Sequence, residues 1–201
     1  MLKWFLARKS KHGETYKGRV FPPRFHPSPF SASGHGGKLM DFVCSEQYFM
    51  YHKALFANDI DAAEKILSLG HLNSMEMKMI GRGLKMSNSQ INKWNEASSD
   101  IMREAVYRKF EQNAELRKFL FFSHGTRNVE ASPTDRIWGI GMPIEHKDAA
   151  NPLKWMGANR LGAILDDVRE QLWNDSRFEK ERHEVQSEII RKQKNFLESF
   201  Q

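Results

Sequence analysis

Apolar positions along this chain change period several times, and the changes mark its elements. Tyr48, Phe49, His52, Leu55 and Phe56 recur at three- and four-residue steps, the spacing of one helix face. Ser45 stands where that helix would be capped. A second helix is expected from a cap at Asn58 or Asp59 through Leu69, ended by Gly70. A third covers 74–80 and closes at Gly81-Arg82-Gly83. Ile91, Trp94, Ile101, Ala105, Val106 and Phe110 predict a long helix, and Ala114 to Phe122 another after a short break. A further helix covers 159–172, with Leu161, Ile164, Leu165 and Val168 on one face.

Extended structure is sparser. Residues 21–37 hold four of the seven prolines and three glycines, which predicts irregular loop with extended pieces. Ser31 to Gly37 lacks a phosphate-loop pattern and reads as a surface turn between two strands. Leu39 to Val43 predicts one short strand. No internal repeat is present. The pattern predicts an α+β, predominantly helical single domain with a few short strands. Its expected limits are a basic extension at 1–20, not fully ordered, a domain at 21–172, and a charged helical tail at 173–201. Ile189, Ile190, Phe196 and Leu197 give that tail a thin apolar stripe. It either docks on the domain, meets a partner, or stays a solvated helix.

Composition narrows the classes. With 201 residues, 40% of them hydrophobic, the chain can bury a real core. One cysteine, Cys44, excludes an internal disulfide and favours a reducing compartment, cytosol or nucleus. Cys44 itself reads as a packed core thiol. No apolar run is long enough for a membrane span, so no membrane partner is expected. The eight histidines are scattered without ligand spacing, so no metal and no cofactor are expected. The net charge of +6, from 31 basic and 25 acidic residues, fits a phosphate-bearing ligand or nucleic acid. It ranks ligand classes only weakly.

The densest chemistry lies in Glu130-Ala-Ser-Pro-Thr-Asp135-Arg-Ile-Trp138-Gly-Ile-Gly141. Pro133 presets a turn, and Gly139 and Gly141 let backbone approach a ligand closely. Trp138 offers either a stacking surface for a base or a core anchor. Three more blocks accompany this one in order: Pro27-Ser-Pro-Phe30; Ser45-Glu46-Gln-Tyr-Phe49 followed by Lys53-Ala54; and Trp155-Met-Gly157-Ala-Asn159-Arg-Leu161-Gly162 leading to Val168-Arg169. Together they resemble the NADAR, or YbiA-like, family of N-glycosidases over roughly residues 21 to 172. The resemblance implies that family's fold and activity.

An N-glycosidic bond breaks through an oxocarbenium-like state. A nearby carboxylate stabilises it and can activate water. On one helix Glu46 and Lys53 lie on the same face, two turns and about 10 Å apart. The spacing by itself also fits a surface pair of little consequence. The resemblance makes Glu46 the first choice for the catalytic carboxylate and Asp135 the second. It further implies that Lys53 attacks the anomeric carbon as a neutral amine and forms a Schiff base. Binding phosphate is the competing role for Lys53. Arg82 either clamps phosphate or serves as a helix C-terminal cation. Trp155 and Asn159 either position the loop carrying Asp135 or meet ligand directly. Trp94 reads as core.

The chain departs from the family at three places. Arg24 stands where an asparagine is usual and adds a candidate anion contact. Gln47 replaces a histidine. Phe122-Ser-His124-Gly-Thr126 replaces a Leu-x-x-Thr-Gly segment. The resemblance implies two substrate types. One is ADP-ribose on guanine, in nucleic acid or nucleotide, which suits the basic balance better. The other is a phosphoribosylamino-pyrimidine intermediate of riboflavin synthesis. A non-catalytic reader of ADP-ribose or another NAD-derived ligand is the alternative from a different class. The sequence leaves the oligomeric state open.

Overall fold

The computed structural model describes residues 3–9, 15–17 and 28–198. Its spine is the helix α4, Asn88–Gln112, which starts with a complete capping box between Ser87 and Gln90. Trp94, Met102, Ala105, Val106 and Phe110 form its buried stripe. Around it stand α1 (Ser45–Phe56), α2 (Ile60–Ser68), α3 (Ser74–Gly83), α5 (Ala114–Phe121) and α6 (Arg160–Trp173). The domain is α+β and predominantly helical, as its periodicity predicts. Two helix ends differ in detail. Cys44, not Ser45, occupies the cap position of α1, and no side chain caps that end. The α3 helix runs through its glycines to Gly83 instead of stopping before them. Asp59 caps α2 as expected, accepting from the Ala62 amide at 2.9 Å.

The proline-rich entry leads into a hairpin of β3 (Phe30–Ser33) and β4 (Leu39–Phe42), with Phe30 opposite Phe42. Those two rings stack at 5.9 Å, and Phe42 meets Tyr48 of α1 edge-on at 4.9 Å. This aromatic cluster fastens the hairpin to α1. A second sheet, of order β2-β1-β5, joins β1 (Lys3–Lys9) and β2 (Thr15–Lys17) to β5 (Arg127–Ala131), all antiparallel. The weak patterning of 1–20 does not announce its two strands. The apolar run that would announce β5 is too short.

A smaller core lies beside β5: Val129, Ala131, Ile140, Met142 and Ala149, with Trp155 packed against it. The C-terminal tail forms α7 (Glu179–Glu198), which packs on α5. Val185 is its buried contact, Arg117 forks onto Glu181 at 2.8 and 2.6 Å, and Lys118 pairs with Glu184 at 2.9 Å.

Candidate active site

The site begins with α1, because its period sets Glu46, Phe49 and Lys53 on one face. Glu46 lies in the first turn and is wholly buried, at the end where the helix dipole favours a carboxylate. Beside it, burial pushes the Cys44 thiol up, and the Glu46 charge adds to that. Cys44 is therefore a protonated core thiol, as its surroundings in the sequence suggest. Two turns on, the Lys53 ammonium donates to the Gly81 carbonyl of α3 at 2.7 Å. Burial lowers its pKa, and the neighbouring Arg82 charge lowers it further. Both causes favour the neutral amine. Gly81 lies close against α1, where a β-carbon would overlap the Met50 sulfur and require that side chain to shift. Arg82 follows it beside Lys53.

Phe49 carries the third side of the arrangement. Its ring packs on Trp94 at 4.8 Å and takes Trp138 edge-on at 5.3 Å. Trp94 is buried core, as its helical spacing indicates. Trp138 is half-buried and keys the loop after β5 onto the face that carries Glu46 and Lys53. Asp135 shapes that loop. One carboxylate oxygen accepts from the Ile137 amide at 3.1 Å and the Trp138 amide at 2.8 Å. The other takes no hydrogen bond from the described residues.

A second strip of chain holds this loop in place. Backbone hydrogen bonds run from Met156, Ala158, Asn159, Arg160 and Leu161 to the carbonyls of Ile140, Arg136, Gly139, Ile137 and Trp138. Asn159, in the left-handed conformation at φ 50°, accepts from the Glu130 amide at 2.9 Å and donates to the Asn128 carbonyl at 3.0 Å. Its side chain clamps β5. Trp155 donates its indole N–H to the Ala149 carbonyl at 2.9 Å and props the smaller core. Of the two roles open to Asn159 and Trp155, these contacts belong to positioning the loop. Gly139 is buried, and a β-carbon there would lie 2.8 Å from the Glu130 carbonyl and 2.9 Å from that of Asp135. Its close approach is to the protein's own backbone. Gly157 is confined in the same way, since a β-carbon there would overlap the Gly139 carbonyl.

Lys53 and Arg82 thus lie together where α1 meets α3, Glu46 lies two turns away on the same face of α1, and Trp138, whose amide Asp135 holds, packs on Phe49 of that face. Arg24 lies outside the described residues. His52 turns to the hairpin, against Tyr48 at 4.3 Å and the Ser33 carbonyl at 3.2 Å. Two residues have roles that their sequence context does not give. Gln47, buried, donates to the carbonyls of Ile66, Leu67 and Leu69 and accepts from the Val43 amide, so it caps the exposed end of α2. Glu130 is, with Glu46, one of two buried carboxylates among the described residues. It lies near the end of β5, where both faces of the strand are buried, so no alternation in the sequence points to it.

Comparison with known proteins gives the family of the chain. The NADAR domain model matches residues 13–173. The chain is 42% identical over 194 residues to Protein irg-1 of Caenorhabditis elegans, covering 92% of this chain and 91% of that one. It is 34% identical over 148 residues to N-glycosidase R617 of Acanthamoeba polyphaga mimivirus, covering 74% and 85%. The NMR structure of the E. coli protein YbiA superimposes with a TM-score of 0.56 at 30% identity, over 75% of this chain and 76% of that one. This chain belongs to the NADAR family.

Proposed function

We propose that this N-glycosidase removes ADP-ribose attached to guanine in nucleic acid or nucleotide, with Glu46 and Lys53 as its principal groups. The observation that carries the proposal is Lys53: its amine is biased towards the neutral form by burial and by Arg82, on the same helix face as the buried Glu46. Glu46 stabilises the positive charge that develops as the bond from the anomeric carbon to the base nitrogen breaks. The Lys53 amine adds to that carbon, and the bond's electron pair leaves on the base nitrogen, which takes up a proton. The sugar ring opens to an imine, and water then hydrolyses it, returning the amine and releasing the sugar. Arg82 holds phosphate and keeps the lysine pKa low. Asp135 supports the loop and offers its second oxygen to the substrate. Trp138 presents its exposed part to the base or ribose. The preference for ADP-ribosyl guanine over a phosphoribosylamino-pyrimidine rests on the +6 charge balance. The cytosol or nucleus, favoured by the lone thiol, is where such a substrate would be met.

The test is base release followed by mass spectrometry on ADP-ribosylated guanine DNA, with the phosphoribosylamino-pyrimidine in parallel. Wild type should release ADP-ribose, and Glu46→Gln should lose about two to three orders of magnitude in rate. Cleavage of the pyrimidine alone would move the protein to metabolite clearance. Tight ADP-ribose binding with no cleavage of either would make it a reader.

A further inference from the structure

We infer that Asp166 is a positioning residue of this site: through Asn128, and together with Asn159, it fixes the strand β5 from which the loop carrying Asp135 and Trp138 departs. This rests on the N-glycosidase reading of the site. Among the described residues β5 stands at the edge of its sheet, with β1 on one side and no strand on the other. Asn128 and Glu130 are nonetheless buried, so their main-chain groups on the open side need partners from the protein. Side chains of α6 and its cap provide them. One oxygen of Asp166 accepts from the Asn128 amide at 3.1 Å and from the Asn128 Nδ2 at 2.7 Å. Asn159, at the start of the same helix, donates to the Asn128 carbonyl and accepts from the Glu130 amide. The two side chains stand where a neighbouring strand would. Gly162 lies so close to β5 that a β-carbon there would overlap the Asn128 carbonyl.

The hold passes to the site through the main chain of Glu130. Its carbonyl accepts from the Ser132 amide at 3.1 Å and the Ile140 amide at 2.9 Å, one on each side of the turn that carries Asp135 and Trp138. A shift of β5 therefore moves both ends of that loop. Asp166 is kept in place against a cost. Burial raises its pKa, while the Asn128 hydrogen bonds and the Arg169 charge oppose that rise. Arg169 is itself buried. Its NH1 group meets Asp166 at 3.0 Å and the carbonyl and hydroxyl of Ser123 at 3.1 Å. A guanidinium anchored in the turn after α5 thus aims the carboxylate at β5. The next residue, Asp167, is exposed and pairs with Arg103 at 2.9 Å. Two adjacent acids of α6 therefore differ: one supports the strand behind the site, and the other faces solvent. Arg82, the proposed phosphate contact, stands on α3, outside this network.

Steady-state cleavage by the full chain, on whichever of the two substrates above wild type cleaves, tests the inference, with amide exchange read by NMR in parallel. Asp166→Ala should lower kcat about tenfold through misplacement of the loop and leave KM nearly unchanged. Asp166→Asn keeps an acceptor for Asn128 and should recover most of the loss. Asp166→Glu keeps the charge but displaces the acceptor by one bond, and carries the same expectation as alanine should the alanine variant not fold. Asn128→Ala should lower kcat in the same way, and the double variant should lose less than the product of the two single losses. Asp167→Ala should change neither constant. In Asp166→Ala the Glu130 and Ile140 amides should exchange faster while those of α4 keep their protection. An unchanged kcat, single losses that multiply in the double variant, a loss that tracks the unfolded fraction in urea, or unchanged exchange would overturn the inference. If wild type cleaves neither substrate the glycosidase reading falls, and the exchange pattern alone decides whether Asp166 holds the loop.

Discussion

Lys53 and Lys118 stand on helices of one domain and titrate in opposite directions. Lys118 lies on the seam between α5 and α7, where its hydrogen bond and charge interaction with Glu184 raise its pKa and lower that of the carboxylate. Each partner favours the charged form of the other. Lys53 lies between α1 and α3. There burial and a second cation favour loss of the proton, and its hydrogen-bond partner is a neutral carbonyl. The first arrangement favours a surface at rest. The second maintains a disfavoured protonation state, which folding alone does not require and a nucleophilic amine does. Lys109 of α4 is a third case. It is buried and its pKa is pushed down to about 8 by desolvation, whereas for Lys53 a neighbouring cation also contributes.

The largest effect expected is at Lys53. Lys53→Arg keeps the charge but cannot readily lose it or form an imine. Base release should fall about a hundredfold or more, while the variant should unfold at the same denaturant concentration as wild type to within a small shift. Full activity in Lys53→Arg would mean that only charge is needed there, and the contrast with Lys118 would lose its catalytic meaning.

Lys109 sharpens the comparison on stability. Its unfolded pKa is the ordinary 10.5, against about 8 in the fold. Below pH 8 both states are protonated and the folded state bears the full cost of burying the charge. Between the two values the folded protein binds fewer protons, so stability rises with pH; above them the penalty is gone. The size is about 3 kcal/mol. Lys109→Met should therefore raise unfolding stability at pH 7 by up to about that amount and flatten its rise towards pH 10, as read by urea unfolding at both values. A destabilised variant would show that the amine has a favourable role in the interior.

Arg82 links Lys53 to its surroundings electrostatically. Removing its charge in Arg82→Gln takes away one of the two causes that lower the lysine pKa. The rate should rise with pH through the Lys53 pKa, and that limb of the kcat profile should move to higher pH in the variant. A limb that stays in place, with KM alone raised, would reduce Arg82 to substrate binding.

Much of the fold is legible in the sequence, for physical reasons that vary by element. The helices follow from apolar spacing, most plainly in α4 and α6, which each bury one face, while α1 is buried all round over Ser45 to Tyr51. The same spacing sets Glu46, Phe49 and Lys53 together without knowledge of any contact. What periodicity misses is β5, a strand of five residues whose last four are buried. Burial on both faces removes the alternation that marks a strand, so nothing in the pattern turns Glu130 inward. Gln47 is equally opaque, since its acceptors are carbonyls of α2 and the residue after it, at least 19 positions away. Asp135 reads as a polar residue of a turn, but its hold on the Trp138 amide needs the loop's fold. The lowered pKa of Lys53 depends on the meeting of α1 and α3 at Gly81, a contact between residues 28 positions apart.

The smallest effect expected is at Lys118, and it tests the other side of the comparison. Its ion pair with Glu184 is half-exposed, and such pairs lose most of their attraction to solvent and ions. Lys118→Ala should leave base release unchanged and lower Tm slightly at low ionic strength. The difference from wild type should vanish at high salt. Arg117, on the same helix, is buried and forks onto Glu181 while also donating to the Phe110 and Glu111 carbonyls. It, more than Lys118, carries the polar attachment of α7. A salt-independent loss of Tm in Lys118→Ala would show that the seam is held by that pair's geometry. The paired lysine would then be fixed in its place as firmly as Lys53, and charge pairing alone would no longer separate the resting surface from the site.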